Sequence, residues 1–139
     1  MPAKEQNRDK YERLAPQTTD DAIAWLEARD AEGVEDFFLW VHYQDPHGPY
    51  TPPAEWGERF PAGATGEPPL ALGHNQKGRG QLPNYQALGD RRDPEFYRAR
   101  YDAEIRFFDE ALGRLLAWLE ERGWLEDSLV VFTADHGES

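Results

Sequence analysis

The clearest hydrophobic pattern lies in the last third of the chain, where apolar residues recur every three or four positions. They are Tyr97, Tyr101, Ile105, Phe108, Leu112, Leu115 and Leu119. This spacing predicts one amphipathic helix over about 94–122, with Asp93 as its N-cap, Pro94 in its first turn and Gly123 just beyond its end. The opposite face of this helix is expected to be polar, and it carries Arg100, Glu104, Arg114 and Glu121.

A shorter amphipathic helix is predicted over about 19–30. Thr18 and Asp21 have the spacing of a capping box, with Asp in place of the usual Glu. Ile23 and Leu26 are three residues apart and so share an apolar face of the helix, and Gly33 is expected to end the helix.

Two continuous apolar runs are typical of buried strands. FFLWVHY at 37–43 and SLVVFTA at 128–134 are rich in aromatic and β-branched residues. Runs of this kind favour strands that are covered on both faces, as in a parallel sheet. With the long helix between them they form a βαβ unit, which predicts an α/β fold with two parallel strands and a right-handed crossover.

The segment between the first strand and the long helix, about 44–93, is predicted to be a loop. Residues 44–94 contain nine of the eleven prolines, together with several glycines. Such a composition interrupts regular structure, and a loop of this length inside a domain is usually functional or mobile.

Polar residues follow both predicted strands. His42, Asp45 and His47 lie at the end of the first, and Asp135, His136 and Glu138 lie at the end of the second. Ligands of open α/β sheets bind beyond the carboxyl ends of the strands, so the two clusters are expected on one sheet edge. Carboxylate and imidazole groups bind metals, and oxygen-rich sites suit Ca²⁺ or Mg²⁺. The alternative is that Asp135 caps a following helix and His136 packs against the protein or faces solvent.

The segment DPHGPY at 45–50 surrounds His47 with two prolines and a glycine, which fix the backbone. A protonated imidazole held in this way could bind an oxyanion or protonate a leaving group. The alternative is a rigid surface turn in which Asp45 makes an Asx turn. His42, inside the strand, is expected to be a core histidine, and Tyr50 and Trp56 are expected to pack the loop.

Composition narrows the range of partners. The net charge of -12 argues against nucleic acid, because neutralising phosphates requires clustered Lys and Arg. Without cysteine the chain has no disulfide framework and no thiolate ligand. The first residues contain no apolar signal-peptide core, and no run approaches the roughly 20 apolar residues of a membrane span.

Two segments of the chain resemble, in this order, two segments of the sulfatase family. They are FFLWVHYQDPHGPYTPP and YDAEIRFFDEALGRLLAWLEERGWLEDSLVVFTADHGES. The resemblance implies an alkaline-phosphatase-like α/β sandwich that hydrolyses sulfate esters of small molecules or glycans. It also implies a formylglycine nucleophile and a divalent cation, Ca²⁺ or Mg²⁺. By position, Asp135 and His136 match a pair of metal ligands, and His47 matches the histidine that contacts the sulfate group.

Two family motifs are missing from these residues: the N-terminal Asp-Asp metal pair and the Cys/Ser-x-Pro/Ala-x-Arg nucleophile motif. Asp20-Asp21 stands in a helix start, which is the wrong context. We therefore expect an internal piece of a sulfatase domain that is inactive alone, with its nucleophile upstream. The alternatives are a phosphoryl-transfer or phosphonate-hydrolysing enzyme of the same superfamily, and a non-catalytic interaction module that uses the Pro/Gly loop.

Overall fold

A computed structural model describes residues 13–63, 66–73 and 81–137. Within these residues the order of elements is α1 (Ala15–Ala31), α2 (Ala54–Arg59), β1 (Ala71–Gly73), β2 (Gln81–Pro83) and α3 (Pro94–Glu121). The chain divides into two units. One contains residues up to Asp45 together with Phe108–Val130, and the other contains Pro46–Phe107 together with the residues from Val131 onward.

Helix α1 begins four residues before the predicted start, so the predicted Thr18–Asp21 cap is wrong. Its N-cap is Leu14, whose backbone N–H donates to Oε1 of Gln17 at 3.2 Å. Pro16 lies in the first turn, where its fixed φ suits a helix and its missing N–H is not needed. The stop at Gly33 was predicted correctly, since this glycine has a φ of +70°.

Helix α3 agrees with its predicted bounds at both ends. The backbone N–H of Glu95 donates to Oδ1 of Asp93 at 3.0 Å, as expected for an N-cap side chain. Gly123 follows the helix with a φ of +72°, a left-handed conformation that glycine adopts without strain.

The buried face of α3 differs from the predicted stripe in its middle. Ile105 was predicted to be buried but is 40% exposed, whereas Glu104, predicted on the polar face, is fully buried. The buried positions around them are Ala99, Ala103, Phe107, Ala111 and Leu115. Alanines let neighbouring backbone approach the helix closely. A face that carries alanines can therefore be buried even though the spacing of the large apolar residues predicts that it is exposed. The first part of α3 belongs to one unit and the rest to the other, so the buried residues need not form one straight stripe along the helix.

The first unit is built where α1 meets the second half of α3. Ala22, Leu26 and Leu115 form its buried cluster. Thr19, fully buried, donates its hydroxyl to the carbonyl of Ala111 at 2.9 Å and so joins the two helices. This bond satisfies a buried hydroxyl, which would otherwise oppose folding.

The second unit contains short regular elements that the sequence did not predict, within the segment expected to be a loop. Strands β1 and β2 pair in parallel, with Leu72 opposite Leu82. Leu82 packs with Tyr50 and Tyr97 in a buried cluster. Prolines and glycines limit the length of these elements, and the two three-residue strands end at Gly73 and Pro83.

The two predicted strands at 37–43 and 128–134 are absent, because neither segment belongs to a sheet among the residues that the structure describes. In the first, Leu39 and Val41 pack against the α1–α3 cluster, while Phe38 and Trp40 are 83% and 68% exposed. The segment alternates, so one face is covered rather than two.

The second segment, at 128–134, is more open. Leu129, Val131 and Phe132 are 92%, 75% and 71% exposed. A strand exists through hydrogen bonds to a neighbouring strand, and the described part of the chain offers neither segment one. The predicted βαβ unit is therefore wrong here, and the parallel pair formed is β1–β2. Among the described helices, none is both long and apolar enough to cross a membrane.

Candidate functional site

His47 lies half-buried in the DPHGPY turn, with its ring held on two sides. Its Nδ1 lies 2.8 Å from the carbonyl oxygen of Gly48. A carbonyl can only accept, so Nδ1 carries the proton, and Nε2 is the ring nitrogen that keeps a lone pair. The imidazole stacks on the ring of Tyr85, with centroids 6.0 Å apart and planes inclined by 18°. The sequence had predicted the fixed turn but not the tyrosine.

The turn is held from behind by Gln86, which is 6% exposed. Its Nε2 donates to the hydroxyls of Tyr50 and Tyr85 over 3.4 and 3.3 Å. A Cβ on Gly48 would lie 2.6 Å from Nε2 of Gln86 and 2.7 Å from its Cγ. Glycine at 48 is therefore what allows Gln86 to cross the turn. The peptide bond between Gly48 and Pro49 is cis.

The other residues singled out near this turn are a helix cap, an exposed histidine and two buried aromatic residues. Asp45 is buried, and its Oδ2 accepts the backbone N–H of Ala15 at 2.6 Å, so it caps the start of α1. His42 was predicted to be a core histidine, but it is exposed because it lies on the uncovered face of its segment. Tyr50 and Trp56 pack in the interior as predicted, at 6% and 7% exposure.

Asp135 and His136 lie together on an exposed segment. The backbone N–H of His136 donates to Oδ1 of Asp135 at 3.0 Å, and its ring Nδ1 lies 2.9 Å from the carbonyl oxygen of Gly137. Nδ1 is therefore the protonated nitrogen, which turns Nε2 toward the carboxylate, 3.8 Å from Oδ2 of Asp135. The side chains are 86% and 60% exposed for Asp135 and His136.

This pair fits a divalent cation as far as two donors can. Two atoms that each bind Ca²⁺ at about 2.3–2.6 Å can lie no more than about 5 Å apart, and 3.8 Å is within that limit. The described residues contain no group of three or more His, Cys, Asp or Glu side chains that could hold a metal ion. The predicted shared sheet edge does not form among them, because its two strands do not. Glu138 lies outside the described residues.

Two ionisable side chains outside the candidate site, Glu67 and Tyr43, have a shifted pKa. Arg98 on α3 bonds both carboxylate oxygens of Glu67, at 2.8 and 3.1 Å, and this hydrogen bonding lowers the pKa of Glu67. Burial raises the pKa of the Tyr43 phenol, against the opposing effects of its hydrogen bond with Thr19 and the charge of Arg114.

Comparison with known proteins identifies the class. The family model described as Sulfatase matches residues 1–139, and the chain belongs to the sulfatase family. Membership implies an alkaline-phosphatase-like α/β fold for the domain to which these residues belong.

Individual relatives agree with this family. The chain is 32% identical to the multifunctional alkaline phosphatase superfamily protein PehA of Trinickia caryophylli, over 86% of this chain and 26% of that protein. It is 26% identical to arylsulfatase K of Gallus gallus, over 88% of this chain and 26% of the relative. It is 28% identical to human iduronate 2-sulfatase, over 87% and 25%. The chain thus spans about a quarter of their length. No solved structure matches it significantly.

Proposed function

We propose that the protein to which this chain belongs hydrolyses sulfate esters with the help of a divalent cation. The match of the sulfatase family model over residues 1–139 carries this proposal. The chain contributes Asp135 and His136 as two metal ligands and His47 as a contact to the sulfate group. The nucleophile, a formylglycine in this proposal, comes from residues outside this cysteine-free chain.

His47 has the geometry for this task. With Nδ1 bonded to the carbonyl of Gly48, Nε2 is the ring nitrogen that could become a second donor by taking up a proton. An N–H from an imidazolium is a charge-assisted donor to a sulfate oxygen. The surrounding prolines and the Tyr85 stack keep the ring from reorienting.

Asp135 and His136 supply one oxygen and one nitrogen donor. A bound Ca²⁺ or Mg²⁺ would neutralise negative charge on the sulfate group as its ester bond breaks. In the overall reaction one water is consumed, the S–O bond to the alcohol oxygen is broken, and an alcohol, a sulfate ion and a proton are released. The affinity of the pair alone is expected to be low, because Ca²⁺ sites use six to eight oxygen ligands.

The test uses the full-length protein and an aryl sulfate. We expect that the protein turns over this substrate, that a chelator abolishes the turnover, and that added Ca²⁺ or Mg²⁺ restores it. The chain of residues 1–139 alone is expected to be inactive in the same assay. Metal-independent turnover, or turnover by the isolated chain, contradicts the proposal.

A second candidate is a phosphoryl-transfer or phosphonate-hydrolysing enzyme of the same superfamily. The similarity to a relative named as a multifunctional alkaline phosphatase superfamily protein favours keeping it. The discriminating measurement compares kcat/KM for an aryl sulfate, an aryl phosphate and an aryl phosphonate with one leaving group. A clear preference for phosphorus would replace the first candidate, and turnover of none would favour a binding module.

A further inference from the structure

We propose that Tyr85 is a positioning residue for His47: its ring orients the imidazole that contacts the sulfate group. The inference rests on the proposed role of His47. It concerns a residue that lies in the Pro/Gly-rich segment, 38 positions along the chain from the histidine. Neither family motif in the sequence contains it.

The contact between the rings is direct. The planes of His47 and Tyr85 are nearly parallel, 18° apart, with centroids separated by 6.0 Å. An offset stack of this kind restricts rotation of the imidazole about its χ2, which is otherwise a broad torsion. The bond from Nδ1 to the Gly48 carbonyl fixes which ring nitrogen carries the proton. The two contacts together fix both the plane and the tautomer.

Tyr85 is itself fixed. It follows β2 in a turn, where the backbone N–H of Gln86 donates to the carbonyl of Pro83 at 3.0 Å. The Tyr85 hydroxyl accepts from Nε2 of the buried Gln86 at 3.3 Å. Leu82 in β2 belongs to the buried cluster with Tyr50, so the strand attaches this turn to the DPHGPY segment.

Tyr85 also remains accessible, with 38% of its surface exposed. A residue that only filled the core would be covered. One face of the ring supports His47 while part of the side chain meets solvent, which is the arrangement expected at the rim of a binding site. The tyrosine thus supports the ring of His47 without needing to contact the reacting atoms.

The test is a double-mutant cycle in the full-length protein with an aryl sulfate as the probe. Tyr85→Leu is expected to lower kcat/KM about tenfold, and Tyr85→Phe, which keeps the stacking ring, to restore it to within about twofold. His47→Ala is expected to cause the larger loss. Because Tyr85 acts through His47, Tyr85→Leu should lower the rate no further in the His47→Ala background.

The matched control is Leu72→Ala, which truncates a side chain of similar exposure, 37%, in β1 of the same unit. It should leave kcat/KM within about twofold. A general loss of stability would instead make the losses from Tyr85→Leu and His47→Ala multiply.

The outcomes separate this inference from the proposed function. If His47→Ala retains wild-type turnover, the proposed role of His47 fails and the inference fails with it. If His47→Ala is impaired but Tyr85→Leu is not, or if the two losses multiply, only the role of Tyr85 is overturned. The imidazole proton shifts of His47 in the NMR spectrum give a readout without substrate. Tyr85→Leu should move them by removing the ring current, and Tyr85→Phe should retain most of it.

Discussion

At the scale of single residues, neighbours in the DPHGPY segment have different roles. His47 bonds the carbonyl of the adjacent Gly48 through Nδ1, whereas Asp45, two residues earlier, is buried and accepts the backbone N–H at the start of α1. The rigidity of the turn could be predicted from its prolines and glycine. The partner of Asp45 could not, because Ala15 lies thirty positions away and offers only a backbone N–H.

Substitution of Asp45 tests its role as a long-range helix cap. Asp45→Ala removes the acceptor for the Ala15 N–H and is expected to lower the free energy of unfolding by about 1 kcal/mol, within the usual range for caps. Urea denaturation followed by circular dichroism measures it. Asp36→Ala, an exposed aspartate, serves as the control and should change little. Equal losses in both variants would rule out a specific cap.

At the scale of elements, the two long helices α1 and α3 were predictable, whereas the short helix α2 and the strands were not. Helix α3 could be located from periodicity and from Asp93 and Gly123, because these signals are local. The segments 37–43 and 128–134 have the composition of buried strands, but pairing depends on neighbours that composition does not supply. The contact between His47 and Tyr85 could not be predicted for a similar reason, since no local pattern links two parts of a proline-rich segment.

Two glycines, one inside α3 and one just after it, offer a matched comparison. A Cβ added at Gly113, within the helix, would have nothing within 4 Å, so Gly113→Ala should stabilise the protein by about 0.5–1 kcal/mol. Gly123 has equally open surroundings but a φ of +72°. Gly123→Ala should therefore destabilise it. Thermal unfolding of both variants measures the contrast, and shifts of the same sign would contradict it.

The packing of Tyr43 against α1 predicts a pH effect. Burial raises its pKa, so above the ordinary tyrosine value of about 10 the unfolded chain loses this proton before the folded chain does. Stability is then lost as the pH rises through the folded pKa. Tyr43→Phe should cost about 0.5–1.5 kcal/mol at neutral pH, through loss of the 2.8 Å bond with Thr19. It should also weaken the alkaline decline. An unchanged decline in the variant would assign it to other groups.

At the scale of the whole molecule, two observations bear on the proposed metal site: the family to which the chain belongs and the exposure of Asp135 and His136. The chain belongs to the sulfatase family over its full matched length, yet it spans about a quarter of its relatives. The two proposed metal ligands stand 86% and 60% exposed with two donor atoms 3.8 Å apart. In the proposed function this pair is part of a metal centre to which further residues of the protein contribute ligands.

The proposed role of Asp135 as a metal ligand is tested by the cation dependence of kcat/KM for an aryl sulfate, measured in the full-length protein with Asp135→Ala. We predict that Asp135→Ala abolishes the metal-dependent turnover, because it removes the carboxylate ligand. Asp127→Ala, at another exposed aspartate, should keep wild-type turnover and the same Ca²⁺ titration. If Asp135→Ala retains wild-type kcat/KM with unchanged cation dependence, Asp135 is not a ligand and the central claim is wrong.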